Sequence, residues 1–211
     1  MSRMQDLLVK DLLVIPKAVK LVGKEIDTTR IWNEADRFEN LEEALKLVTL
    51  NGHYLEFGVA WGTSINFIAE RVNQTVYGFD SFDGLPEDWT SEVSFFPKGS
   101  FKQDTLPKVL SNVKLVKGLF GDTLPDFSKE IETTAFLHVD CDLYSSTKTI
   151  FEHIGHTLKP GSIIVFDEYQ SMKDEHTAFV EWLSTTNFTA YMLVRTLGPT
   201  QVTFVLKERT K

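Results

Sequence analysis

Apolar positions along this chain follow two periods, and the switch between them is sharpest from Gly52 to Pro86. A short apolar run, Tyr54 to Val59, carries Glu56 inside it and leads to two glycines, Gly58 and Gly62. Ile65, Ile68, Ala69 and Val72 then recur at helical spacing, and a second apolar run, Val76 to Phe79, ends in Asp80. The pattern predicts strand, glycine turn, helix, strand and acid, which is one βαβ unit.

The same reading extends in both directions. Residues 4 to 24 predict an amphipathic helix carrying Leu8, Leu12, Ile15, Val19 and Val22, divided at Pro16. Thr28 and Thr29 predict the cap of a second helix. Asn40 with Glu43 predicts a capping box for a third, ended by Asn51-Gly52. Residues 1–50 are thus expected to form a helical lid or packing segment ahead of a single domain over 51–211. A third strand is expected from Val113 to Phe120, closed by Gly121-Asp122. A fourth runs from Ala135 to Val139 into Asp140-Cys141-Asp142, and a helix follows from about Tyr144 to Leu158. Lys159-Pro160-Gly161 reads as a turn before a fifth strand, Ser162 to Phe166, which ends in Asp167-Glu168. After a helix over Asp174 to Leu183, Tyr191–Leu197 and Gln201–Leu206 predict an antiparallel hairpin. Strands alternating with helices imply an α/β fold with a mostly parallel sheet. The long irregular stretch from Pro86 to about Lys102 holds Trp89, Phe95 and Phe96, which either wall a pocket or pack down on the sheet.

Composition narrows the function classes. The net charge is -8 and the pI about 5.2, without a basic run to track phosphates, so nucleic acid is not the expected partner. The lone Cys141 excludes an internal disulfide and fits a reducing, cytoplasmic setting. No apolar run approaches the roughly 20 residues that span a bilayer. Dimerisation through the N-terminal helix is an expectation.

The candidate chemistry gathers at strand ends, where open α/β sheets bind ligands. Glycines after the first strand admit a ligand close to the backbone, and the helix start offers free amides and a positive dipole end. This sets Gly58, Val59, Ala60, Gly62, Thr63 and Ser64 against a nucleoside cofactor, with Asp80 placed to accept from a ribose diol. Neither the dinucleotide glycine pattern nor a Walker loop is present. Seven acids fall near strand ends: Glu56, Asp80, Asp122, Asp140, Asp142, Asp167 and Glu168. Such a ring repels itself unless cations neutralise it. A sulfonium and a divalent metal are the expected cations, with Asp140, Asp167 and Glu168 offering the oxygen-only set that suits Mg²⁺. Asp142 is the expected general base. Asp122 is placed to accept from an adenine amino group or merely caps a turn. His138 reads as a buried structural histidine.

Five stretches, LEFGVAWGTSINFIAE, VYGFDSFDGLPEDW, VKLVKGLFGDTLPDF, LHVDCDLYSSTKTIFEHI and LKPGSIIVFDEY, resemble the macrocin O-methyltransferase family. The resemblance implies a class I, Rossmann-like methyltransferase sheet of seven strands, its last strand inserted antiparallel. It implies S-adenosylmethionine as cofactor and Mg²⁺ on Asp140, Asp167 and Glu168, with Asp142 as base. Its cofactor contacts map to Glu56, Gly58, Asp80, Ser81 and Asp122, with Asp140 adjoining both groups. The implied acceptor is a small-molecule hydroxyl on a sugar or glycosylated metabolite. Two departures stand out: Glu168 replaces the family's second aspartate, and the lysine of the similar catechol O-methyltransferases is replaced by Leu143. The alternatives are a nicotinamide-dependent oxidoreductase and a non-catalytic module that keeps the fold.

Overall fold

The computed structural model describes residues 34–91, 94–169, 172–195 and 201–209. The expected amphipathic helix over 4–24 and the cap at Thr28-Thr29 lie outside them.

The elements run in order as helix α1 (Glu34–Lys46), strand β1 (His53–Phe57), helix α2 (Thr63–Arg71), and strand β2 (Val76–Asp80). A small pair follows, β3 (Trp89–Thr90) and β4 (Phe95–Phe96), then β5 (Val113–Lys117) and α3 (Phe120–Phe127). β6 (Thr134–Val139), α4 (Tyr144–Ile154), β7 (Leu158–Phe166), α5 (Glu175–Ser184), β8 (Phe188–Arg195) and β9 (Val202–Glu208) complete the described chain. Among the described residues one seven-stranded sheet has the order β5-β2-β1-β6-β7-β9-β8. The first five strands are parallel, and β9 lies antiparallel between β7 and β8. This is the mostly parallel sheet with an inserted antiparallel strand that the sequence predicts.

Both faces of the sheet are covered, which is why its central strands are apolar throughout. One face carries Leu55, Phe57, Phe79, Leu137 and Phe166, packed against Ile150 and Ile154 of α4 and Phe179 of α5. The other carries Tyr54, Val76, Phe136 and Val165, against Ile65 and Ile68 of α2 and Leu41 and Ala44 of α1. Gly78 in β2 lets α2 come this close, because a Cβ there would sit 2.3 Å from Ile65 Cδ1.

Four local expectations are corrected. Asn40 is not a cap. It lies inside α1, buried, where its side chain bonds Gln201 and Thr203 of the β9 region. α1 also ends at Lys46, before Asn51-Gly52. The third strand stops at Lys117, because Gly118 turns the chain at φ +148° and Phe120 opens α3. Lys159-Pro160-Gly161 is not a turn between elements but part of β7, bulged at Gly161 (φ +98°). The pairing shifts there, from Thr134 opposite Leu158 to Phe136 opposite Ile163.

The strand order reverses between β1 and β6. Their carboxyl ends form the crevice where ligands bind in such sheets.

Candidate active site

A cavity of about 720 Å³ opens at that crevice. Its walls come from the loops after β1, β2, β6 and β7, from the first described turn of α1, and from the aromatic segment after Pro86.

The β1–α2–β2 side is held by backbone. Gly58 takes φ +90°, and a Cβ on it would lie 1.7 Å from the Asp140 carbonyl oxygen. Only glycine fits between these two strand ends. Asp80 Oδ2 accepts from the amides of Val59 and Ala60, both at 2.8 Å, and Oδ1 accepts from Phe82 N at 2.7 Å. Asp80 therefore shapes the glycine loop itself, with roughly one of its four acceptor positions left for a ligand. Ser81 closes the next turn, donating to Gly84 O and accepting from Asp83 N. The first bond inside α2 runs from Asn66 N to Gly62 O, so the amides before Asn66 have no partner within the helix.

The β6–β7 side is held by charge. Arg37 of α1 donates through Nη2 to Asp140 Oδ2, and its Nε lies 2.9 Å from Asp167 Oδ1 but off the hydrogen-bond axis. Gln201 Nε2 donates to the same Asp167 oxygen at 2.6 Å, and Asn40 Nδ2 holds Gln201 Oε1 at 2.7 Å. His138 is fully buried on β6, with Nδ1 2.9 Å from Glu56 Oε2 and Nε2 3.8 Å from Asp167 Oδ1. Ser64 Oγ donates to the other Glu56 oxygen at 3.1 Å. One polar chain thus links α2, the sheet, α1 and β9.

This crowding sets the protonation states. Burial opposes a charged His138, yet the carboxylates of Asp167, at 3.8 Å, and Glu56, hydrogen-bonded at 2.9 Å, outweigh it and raise the group to about 10. Burial would also raise Asp167, but His138, Arg37 and Gln201 hold it below its ordinary value. Asp140 is pushed up to about 7 by burial and by the charge of Asp167, with Arg37 opposing. Burial and neighbouring carboxylates drive Asp142, Glu168 and Glu175 well above the ordinary range. Asp142 also takes a left-handed backbone, φ +64°, a strained state for a non-glycine residue of the kind that gathers at functional sites.

A divalent cation fits the residues here. Asp140, Asp142 and Glu168 each bring a carboxylate oxygen within 4.8 Å of the others. Glu168 Oε2 is buried and makes no hydrogen bond. The donors are all oxygen, as Mg²⁺ prefers. Asp140 also groups with Asp167 and His138 within the same distance, and Asp167, expected as a ligand, here meets Arg37, His138 and Gln201.

Aromatic rings line the remaining wall. Trp89 stacks on Phe96 at 5.1 Å, Phe96 meets Phe101 at 5.1 Å, and Phe101 meets Trp61 edge-on at 6.4 Å. Trp89 is buried with Leu85 and Leu143, whereas Trp61 is 65% exposed. The segment both packs down and walls the cavity.

Of the residues expected to form the site, Gly58, Val59, Ala60, Thr63, Ser64, Asp80, Ser81, Asp140, Asp142, Asp167 and Glu168 line this one cavity. Three do not. Glu56 is fully buried beneath it, paired with His138 and Ser64. Gly62 is packed against Pro107. Asp122 is not at a strand end: it lies exposed in the first turn of α3, because the strand stops five residues earlier, at Lys117.

The description "Macrocin-O-methyltransferase (TylF)" belongs to the family model that matches residues 29–194 of the chain. The chain belongs to this family. A curated relative from Streptomyces olivaceus is 27% identical over 158 residues, which are 63% of this chain and 60% of the relative. It is named as an 8-demethyl-8-(2,3-dimethoxy-alpha-L-rhamnosyl)-tetracenomycin-C 4'-O-methyltransferase. Among solved structures, the calicheamicin methyltransferase CalS11 aligns at TM-score 0.67 and 22% identity, covering 96% of this chain and 91% of that one. The O-methyltransferase NovP aligns at 0.60 and 19%, covering 99% and 100%. At these identities the likeness shows the fold, a class I Rossmann-like methyltransferase.

Arg37, Gln201 and Glu175 are the main residues of this family member's site that sequence reasoning did not place. Glu175 in the first turn of α5 accepts from Glu168 N at 3.0 Å and adds a carboxylate behind it. Arg37 stands ahead of the first strand, where the sequence reads equally as part of a lid or as surface.

Proposed function

We propose that this chain is an S-adenosylmethionine-dependent, divalent-metal-dependent O-methyltransferase acting on a hydroxyl of a sugar or glycosylated metabolite. The observation that carries this reading is one cavity bounded by the Asp80-braced glycine loop on one side and by the carboxylates of β6 and β7 on the other. Family membership and the rhamnoside named for the Streptomyces relative support the sugar.

The glycine loop, the start of α2 and Asp80 would hold S-adenosylmethionine, the donor of the electrophilic methyl group. Asp140, Asp167 and Glu168 would hold Mg²⁺, with Asp142 beside it, and the ion when bound lowers the pKa of an acceptor hydroxyl and orients its oxygen. The chain's own residues do the rest. Asp142, beside the metal site and lining the cavity, takes the hydroxyl proton. The aromatic wall from Trp89 to Trp61 excludes water and presents ring faces to the acceptor. Direct displacement depends on alignment, so much of the rate rests on the fixed spacing of the two strand ends at Gly58 and Asp140.

The test is incubation with S-adenosylmethionine, Mg²⁺ and a panel of neutral rhamnosides, with products read by mass spectrometry. The expected result is a glycoside heavier by one methyl substitution. No methylated product, together with tight binding of NADH, would overturn the reading in favour of an oxidoreductase.

A further inference from the structure

We infer that Arg37 is a resident cation that competes with a divalent metal for the carboxylates at the ends of β6 and β7, so that metal enters by displacing its guanidinium. This rests on the metal reading given above.

The geometry carries it. Arg37 reaches from α1 to two strand ends at once, donating to Asp140 Oδ2 and lying 2.9 Å from Asp167 Oδ1. Asp140 also belongs to the trio with Asp142 and Glu168 whose oxygens lie within 4.8 Å of one another. One carboxylate is therefore shared between a guanidinium in place and a potential cation site. Arginine cannot give up its charge in a protein, so it cannot become neutral to admit a second cation. Two cations on one half-buried carboxylate repel strongly at short range.

The surroundings of Arg37 give it a way out. Three residues further along α1, Asn40 is bonded to Gln201 and Thr203, and Leu41 and Ala44 are buried in the core. The helix is anchored, so the side chain moves and the helix stays. Arg37 is about a quarter exposed and lines the open cavity, which gives it room to swing out. Asp167 does not lose its support, because Gln201 holds the same oxygen at 2.6 Å and His138 lies 3.8 Å away. Removing Arg37 thus leaves Asp140 without its guanidinium partner, ready for a metal.

The experiment is Mn²⁺ titration of the full chain, with free Mn²⁺ read by electron paramagnetic resonance, for wild type, Arg37→Gln and Arg37→Lys. Competition predicts that Arg37→Gln binds Mn²⁺ at least tenfold more tightly, with Arg37→Lys between it and wild type. It also predicts that Mn²⁺ raises the melting temperature of Arg37→Gln more than that of wild type. Equal or weaker Mn²⁺ binding by a folded Arg37→Gln would overturn the competition while leaving the metal reading intact. If Arg37→Gln does not fold, the lysine variant decides: binding no tighter than wild type overturns the proposal. Failure of all three proteins to bind Mn²⁺ would remove the metal reading and this inference together. Loss of Mn²⁺ binding on adding Asp140→Asn to Arg37→Gln is expected, and its retention would place the ion elsewhere.

Discussion

The two sides of the cavity solve the same problem, how to hold carboxylates beside a ligand, in opposite ways. On the β1–α2–β2 side, Asp80 is held by three backbone amides within 21 residues of it. On the β6–β7 side, Asp140, Asp167 and Glu168 depend on side-chain charge brought from afar, with Arg37 and Asp140 separated by 103 residues. The first side is complete when the loop folds. The second carries carboxylates driven towards protonation, plus a buried acceptor with no donor. On the proposed reading the first side is a fixed cradle for the cofactor, and the second a charge-hungry pole for a cation and the acceptor hydroxyl.

The strongest way to break this contrast is Gly58→Ala. A Cβ there meets the Asp140 carbonyl at 1.7 Å, and φ +90° already excludes most side chains. The expected loss is more than about 4 kcal/mol, or failure to fold. Urea unfolding checks it, and near-wild-type stability would mean that the strand ends are not in contact.

His138→Gln sharpens it by removing charge and keeping polarity. Breaking a buried ion pair costs about 3–5 kcal/mol. The pH dependence is the better diagnostic. Folding raises His138 from 6.5 to about 10, so its stabilisation is complete below 6.5 and is lost as pH rises towards 10. Urea midpoints of the metal-free wild type should carry this downward slope, and the variant should show a shallower one, the raised carboxylates at the same site supplying the remainder. A direct check is imidazole nitrogen chemical shift, which should report a charged ring at neutral pH.

Asp142→Asn separates the sides functionally. It should lower kcat by about 10²–10⁴-fold while leaving S-adenosylmethionine affinity unchanged by calorimetry. Comparable turnover in the variant would remove Asp142 as the base. The smallest effect is expected of Trp61→Ala at the exposed end of the aromatic wall. Stability should change by less than about 0.5 kcal/mol, while KM for the acceptor rises. An unchanged KM would place the acceptor away from the rings.

The same contrast explains what was legible. The alternation of strands and helices, the glycine loop and Asp80 follow from local spacing, because short-range backbone geometry builds them. The carboxylates at the ends of β6 and β7 were legible as residues, since they close apolar runs. Their partners were not. Asn40 reads locally as a cap and Gln201 as the start of a strand, neither spacing ties them or Arg37 to Asp167, and only the folded sheet brings α1 over β7 and β9. Asp122 misled for the converse reason. Val113 to Phe120 is apolar enough to read as strand throughout, but Gly118 turns the chain and hands Phe120 to a helix.

The most direct test of the two-sided account is single-turnover transfer of radiolabelled methyl from S-adenosylmethionine to an accepted glycoside, using metal-stripped protein before and after Mg²⁺ is restored. The account predicts that the stripped protein still binds S-adenosylmethionine, transfers nothing, and recovers with Mg²⁺. Transfer at full rate without metal, or loss of cofactor binding on stripping, would contradict it.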